Sequence, residues 1–292
     1  MRKIIATLLT LTLLAAACTS EEETATTAVD EASETTTADE DASHDDTDEE
    51  DSHNNDESSH SDEGASHSDG IEITDLENAP TVDLSVTSDE LGGQILDITL
   101  TNFEISVENA STEPLEGEGH LHLLVDGERT KRFYNEQLYV ELEDGEHTLE
   151  VEVSANNHAA YTIDGEPIRA AADVVVVNNG DKLVSESELD STAGVELNVV
   201  ADPIAGANVT LTTTDFEFAN GFDANSTSAN TGWVVLTVDG NPIENLIGDS
   251  AHIKLAEPGT YEIAAQLVSA SGAALTNDTG VIRAAESVTI VN

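Results

Sequence analysis

Gly119-His-Leu-His-Leu-Leu-Val-Asp-Gly127 recurs later in the chain as Gly232-Trp-Val-Val-Leu-Thr-Val-Asp-Gly240. Each stretch is a short apolar run closed by Asp-Gly, the signature of a strand entering a tight turn. Working outward, Thr101-Asn-Phe-Glu104 recurs as Thr214-Asp-Phe-Glu217, and Ile168-Arg-Ala-Ala171 as Ile282-Arg-Ala-Ala285. The offset stays at about 113 to 114 residues, so one fold is used twice. His120, His122, His147 and His158 align with Trp233, Val235, Tyr261 and Gly272. The fold itself therefore does not need those four histidines.

The flanking runs are also short and β-branched: Thr81 to Thr87, Ile95 to Leu100, His147 to Val153 and Asp173 to Val177. Val209 to Thr213, Thr260 to Val268 and Ser287 to Val291 repeat the scheme in the second copy. Most of them alternate, turn signals such as Gly92-Gly93 and Asp164-Gly165 separate them, and no stretch has a helical period. The expectation is an all-β chain of two tandem immunoglobulin-like β-sandwich modules, residues 71–178 and 194–292, joined by a linker over 179–193. Neither module has the Cys…Trp…Cys framework of antibody domains.

At the N-terminus, Arg2 and Lys3 precede the apolar run Ile4 to Leu14, and Ala15-Ala-Ala-Cys18 follows. Residues 1–17 read as a lipoprotein signal peptide with Cys18 as the lipidation site, although an ordinary secretion signal ends similarly. The expected location is extracytoplasmic, lipid-anchored to the cell envelope. Cys18 is the only cysteine, so no internal disulfide is possible.

Residues 18–70 contain no Lys, Arg or aromatic residue and cannot offset the entropy of ordering, so they read as a disordered acidic stalk. Even a neutral flexible chain of that length spans roughly 40 Å. His44, His53, His60 and His67 each follow a serine among carboxylates, a weak ligand set for a transition metal or else drift in a low-complexity segment. The whole chain carries 60 acidic residues against 9 basic ones, a formal charge of -51. Nucleic acid and anionic membrane surfaces would be repelled, whereas cations and basic surfaces are natural counterparts. Adaptation to salt explains the same excess.

From Gly117-Glu-Gly-His-Leu-His to Asp126-Gly127 the first module resembles a family of largely uncharacterised bacterial secreted and lipoprotein β-sandwich modules. Ala79-Pro-Thr-Val82, Arg132-Phe-Tyr134, Asp144-Gly-Glu-His-Thr148, Asn156-Asn-His158 and Asp164-Gly-Glu-Pro-Ile168 extend the resemblance over most of residues 79–177. The second module looks like a degenerate copy. The resemblance implies export and the fold, and little biochemistry. One departure stands out: the family often has a histidine after Arg-x-Tyr, where this module has Tyr139 and the second has His252.

His120 and His122 lie two apart on a strand and share a face. With His147 and His158, and Glu118 to complete the set, they read as a site for Zn(II), Cu(II) or Ni(II). Soft-ligand Cu(I) is disfavoured, because the only methionine is Met1. The competing reading places His120 and His122 in solvent, His147 at the core edge and His158 in a turn. No phosphate loop or nucleophile elbow is present, so binding is expected rather than catalysis. The alternative is a structural or adhesive surface module with a protein or glycan partner and no metal.

Overall fold

A computed structural model describes residues 70–178 and 185–291. The expected signal peptide and stalk, with Cys18, His44, His53, His60 and His67, lie outside the described residues. The described part is all-β, with no helix. Its first module contains β1 (Ile71–Glu72), β2 (Thr81–Ser88), β3 (Gln94–Thr101), β4 (Glu104–Ile105), β5 (Glu118–Val125) and β6 (Glu128–Phe133). It continues through β7 (Gln137–Val140), β8 (Gly145–Ala155), β9 (Tyr161–Ile163), β10 (Glu166–Pro167) and β11 (Arg169–Val176). The second repeats the order as β12 (Ser185–Asp190), β13 (Gly194–Ala201), β14 (Ala207–Thr214), β15 (Glu217–Phe218), β16 (Thr231–Val238) and β17 (Asn241–Leu246). It ends with β18 (Ser250–Ile253), β19 (Gly259–Ser269), β20 (Ala273–Asn277), β21 (Gly280–Val281) and β22 (Arg283–Ile290).

Part of the stretch expected to be a linker is therefore strand. β12 pairs in parallel with β20, as β1 does with β9. Its Glu- and Ser-rich sequence hides this, because Leu189 is the one apolar side chain it lends to the core.

In the first module the sheet β2-β3-β7 faces the sheet β11-β8-β5-β4, which also carries β6 on β5. Alternation supplies the core. Leu121, Leu123, Leu149, Val151 and Val153 point inward from one sheet and meet Val82, Leu96, Ile98 and Leu138 of the other. β13-β14-β18 and β22-β19-β16-β15 repeat this in the second module, around Val209, Leu236, Ile263 and Leu267.

The two modules meet through β6 and β7 on one side and β17 and β18 on the other. Equivalent positions contact each other across this boundary. Lys131 pairs with Glu244 at 2.7 Å, and these two occupy the same place in the two copies. Asn135 meets its own counterpart, Gly248, where an added Cβ would lie 2.5 Å from the Asn135 amide carbon. Self-matching contacts of this kind define a twofold, isologous arrangement.

Gly119 and Gly232 open the repeated strand because a neighbouring backbone passes too close for a side chain. A Cβ at Gly119 would sit 2.0 Å from the carbonyl oxygen of Ser154, and one at Gly232 1.8 Å from that of Val268. Gly119→Ala is therefore expected to cost at least about 1–3 kcal/mol, the range for overpacking. A urea denaturation midpoint unchanged from wild type would show that the two strands separate freely.

Candidate metal centre

β5 alternates. Leu121 and Leu123 enter the core, so His120 and His122 project from the opposite face. In an isolated module that face would be wet. Here His120 is 0% exposed and His122 2%, which replaces the solvent-facing expectation. The cover comes from the β8–β9 loop, from β6 and from β18. His158 in that loop has left-handed backbone, φ 68°, as does its partner Ser111, φ 62°. Both are conformations that a non-glycine residue holds only when its surroundings fix it.

The rings of His120 and His122 stand edge to face with centroids 4.8 Å apart, and His120 and His158 are also 4.8 Å apart. One ligand nitrogen from each of His120, His122 and His158 falls within 4.8 Å of the others. Two nitrogens on a single zinc ion can be no more than about 4.2 Å apart, given bonds near 2.1 Å. Seating one ion on all three therefore requires the ring nitrogens to draw closer together.

The hydrogen bonds around the rings are unequal. His122 Nδ1 lies 3.0 Å from Ser154 Oγ, whose hydroxyl donates in turn to Glu152. That order makes His122 Nδ1 the protonated nitrogen and leaves Nε2 bare for a ligand. His158 Nε2 accepts from Arg132 Nη1 at 3.1 Å, so an ion on that nitrogen would displace the bond. Neither nitrogen of His120 has any partner, although the ring is fully buried.

Carboxylates offset the nearby guanidinium groups. Arg132 Nη2 donates to Asp202 at 3.1 Å, and Arg129 and Arg169 both grip the buried Glu152. Burial alone would raise the Asp202 pKa. Arg132, the amides of Ile204 and Ala205 and the Ser111 hydroxyl outweigh it and hold the pKa below the usual value.

Burial, and then the neighbouring histidines, push the His120 pKa well below its ordinary value; burial and Arg129 do the same to His122. Burial and Arg132 bring His158 down to about 4 and His252 to about 3. The folded state thus favours neutral imidazoles, the form that binds metal. Their contribution to stability is complete above the unfolded value of about 6.5 and is lost as pH falls toward the folded values. Each group contributes a slope of at most about 1.4 kcal/mol per pH unit in that window. Urea midpoints of metal-free protein should fall from pH 6.5 to 4.5, and fall less in a His158→Asn/His252→Gln variant. Equal slopes in the two proteins would contradict burial of the neutral rings.

Two expected members stand elsewhere. His147 commits Nδ1 to Asp126 at 2.8 Å and Nε2 to the Glu143 carbonyl at 3.1 Å. These bonds raise its pKa, favouring the cation over a ligand. His147, on β8, thus braces the β5–β6 turn through Asp126, and the structure does not bring it to the other three. Glu118 accepts from the side-chain amides of Asn109 and Asn156, which hold its pKa low, and it braces the loops beside the site.

The second module is more than a spacer. It supplies Asp202 and His252, and Arg132 Nη2 reaches the His252 ring at 2.8 Å from Nε2. The twofold relation explains the apparent gap at Tyr139, because the histidine at the equivalent position, His252, crosses the boundary into the first module's site. Tyr139 crosses the other way by packing with Trp233 and Ile247, while its hydroxyl bonds to Asp89 of its own module, the counterpart of Asp202.

The two equivalent places differ. Where the first has His120, the second has Trp233, packed with Tyr139, Ile95, Ile247 and Phe222. The second retains a void of about 10 Å³, and the first opens into a cleft of about 410 Å³.

No family model matches the chain, and no curated protein does. Among solved structures it aligns with SGBP-B of the Bacteroides ovatus mixed-linkage glucan utilization locus, in complex with a mixed-linkage heptasaccharide. The identity is 12%, the coverage 71% of this chain and 68% of that one, and the TM-score 0.14. A superposition at that score has no bearing on the ligand of this chain.

Proposed function

We propose that this is an exported, Cys18-anchored binding protein whose first module takes one divalent transition-metal ion, Zn(II) or Cu(II), on His120, His122 and His158. The observation that carries this reading is His120: a fully buried imidazole, both nitrogens unpartnered, beside two more imidazoles. A buried polar group without a partner costs about 1–3 kcal/mol, and an ion would satisfy its lone pair. Three imidazoles and one open position form a familiar zinc donor set. The role read from these donors is binding.

The test is calorimetric titration of the mature chain with His44, His53, His60 and His67 replaced by alanine, so that the stalk cannot contribute. One equivalent of Zn(II) or Cu(II) should bind, and His122→Ala should weaken it at least about 100-fold, more than loss of an outer-shell partner. The adhesive alternative predicts no stoichiometric binding, or binding indifferent to that substitution.

A further inference from the structure

The cleft in front of the imidazoles gathers positive charge in a chain that otherwise has little. Of 9 Lys and Arg residues, Arg2 and Lys3 lie in the signal peptide, and Arg129, Lys131, Arg132 and Lys254 all line this one cleft. A strand normally sends alternate side chains to opposite faces, so Arg129 and Arg132, three apart, should diverge. They do not, because β6 carries a bulge. Leu123 pairs with Lys131 and Leu124 with Arg129, leaving Thr130 as the extra residue. Bulges re-aim side chains, and this one puts Arg129 on the face of Arg132, beside the opening that both line with Lys131.

The second copy keeps the bulge and loses the charge. Thr237 pairs with Pro242 and Leu236 with Glu244, so Ile243 is the extra residue. Pro242, Ile243, Glu244 and Asn245 stand where the first copy has Arg129, Thr130, Lys131 and Arg132. The backbone geometry thus belongs to the fold, whereas the basic side chains belong to the open cleft alone.

Donors remain free there. Arg132 is fully engaged, but Arg129 bonds to Glu152 through Nη2 only. Lys131 spends one contact on Glu244. Lys254 is exposed and makes no ion pair among the described residues. Glu152, Asp202 and Glu244 answer Arg129, Arg132 and Lys131, so Lys254 is the cleft cation that no carboxylate answers among the described residues, and the remaining donors of Arg129 and Lys131 join it across the opening.

We infer that this cleft binds a small oxyanion, a phosphate or a low-molecular-weight carboxylate, held by Arg129, Lys131 and Lys254 over the imidazoles. A volume of about 410 Å³ suits a small molecule rather than a polymer. The inference rests on the cleft and not on the metal reading, and its test uses metal-free protein.

Mature chain, stripped of metal and freed of chelator, is titrated with inorganic phosphate and, separately, with citrate in chloride buffer. Saturable one-to-one binding of either is expected, the preferred one naming the anion class. Lys254→Gln combined with Arg129→Gln should weaken it at least about tenfold, because each removes a charge-assisted bond. Circular dichroism on the variant must match wild type. Failure of both anions to saturate, or equal binding by a folded variant, overturns the inference. A negative zinc titration leaves either result standing.

Discussion

Replacing His120 by phenylalanine is expected to raise the thermal midpoint of the metal-free protein and to abolish its metal binding. Both effects have one cause. The imidazole is 0% exposed and neither nitrogen is partnered, so the folded state bears a desolvation cost that an apolar ring does not. Relief of about 1–3 kcal/mol is expected, which in a domain of this size is several degrees. The second module already shows the exchange: Trp233 stands in the equivalent place, 7% exposed, in an aromatic and aliphatic cluster. A metal site maintained at the expense of stability predicts opposite signs in calorimetry and in zinc titration. A destabilised variant that still binds one equivalent of zinc would refute both the ligand assignment and its cost.

Asp202→Ala is expected to act more severely and in the other direction. The Asp202 carboxylate accepts from Arg132, Ser111 and Asn208 and from the amides of Ile204 and Ala205. Its side chain is 0% exposed and that of Arg132 is 7% exposed. Removing it leaves a buried guanidinium unpaired at the junction of the modules. Breaking a buried pair in this way costs about 3–5 kcal/mol. Because Arg132 also leans on His158 and His252, the variant should in addition bind metal more weakly than its loss of stability explains. Denaturant unfolding checks the first effect. Zinc titration below the onset of unfolding checks the second. A cost under about 1 kcal/mol, the usual size for an exposed pair, would place the Arg132–Asp202 pair in solvent.

Strands were legible where alternation was strong. Ile95 to Leu100, His120 to Val125 and His147 to Val153 lie within β3, β5 and β8. β6 was not legible, since Glu-Arg-Thr-Lys-Arg-Phe has no apolar period and its bulge breaks whatever alternation remains. β12 was hidden because a strand at the edge of a sheet can keep almost wholly polar side chains. His120, His122 and His158 could be singled out by comparing the two copies. His147 entered the group on the same signal, and only geometry separates it, since sequence does not show that Asp126 and Glu143 already hold both its nitrogens. Asp202 could not be read at all. It lies about 90 residues from Ser111 in the chain, and a long-range polar contact leaves no local pattern. His252 left a trace, the histidine displaced into the wrong copy, but reading it requires the twofold relation.

The contacts at that twofold boundary are ones that two identical polypeptides could not make. Lys131 facing another lysine, or Glu244 another glutamate, would repel, and the asparagine at 135 would collide with a second asparagine in the place of Gly248. Identical subunits must accept every substitution at both ends of such an axis. Joining the halves in one reading frame removes that obligation. One half can then turn lysine to glutamate, shrink asparagine to glycine and fill its own cavity with tryptophan. The other half keeps its histidines. The duplication thus makes asymmetry heritable, and a chain of this kind would resist being rebuilt as a symmetric dimer of either half.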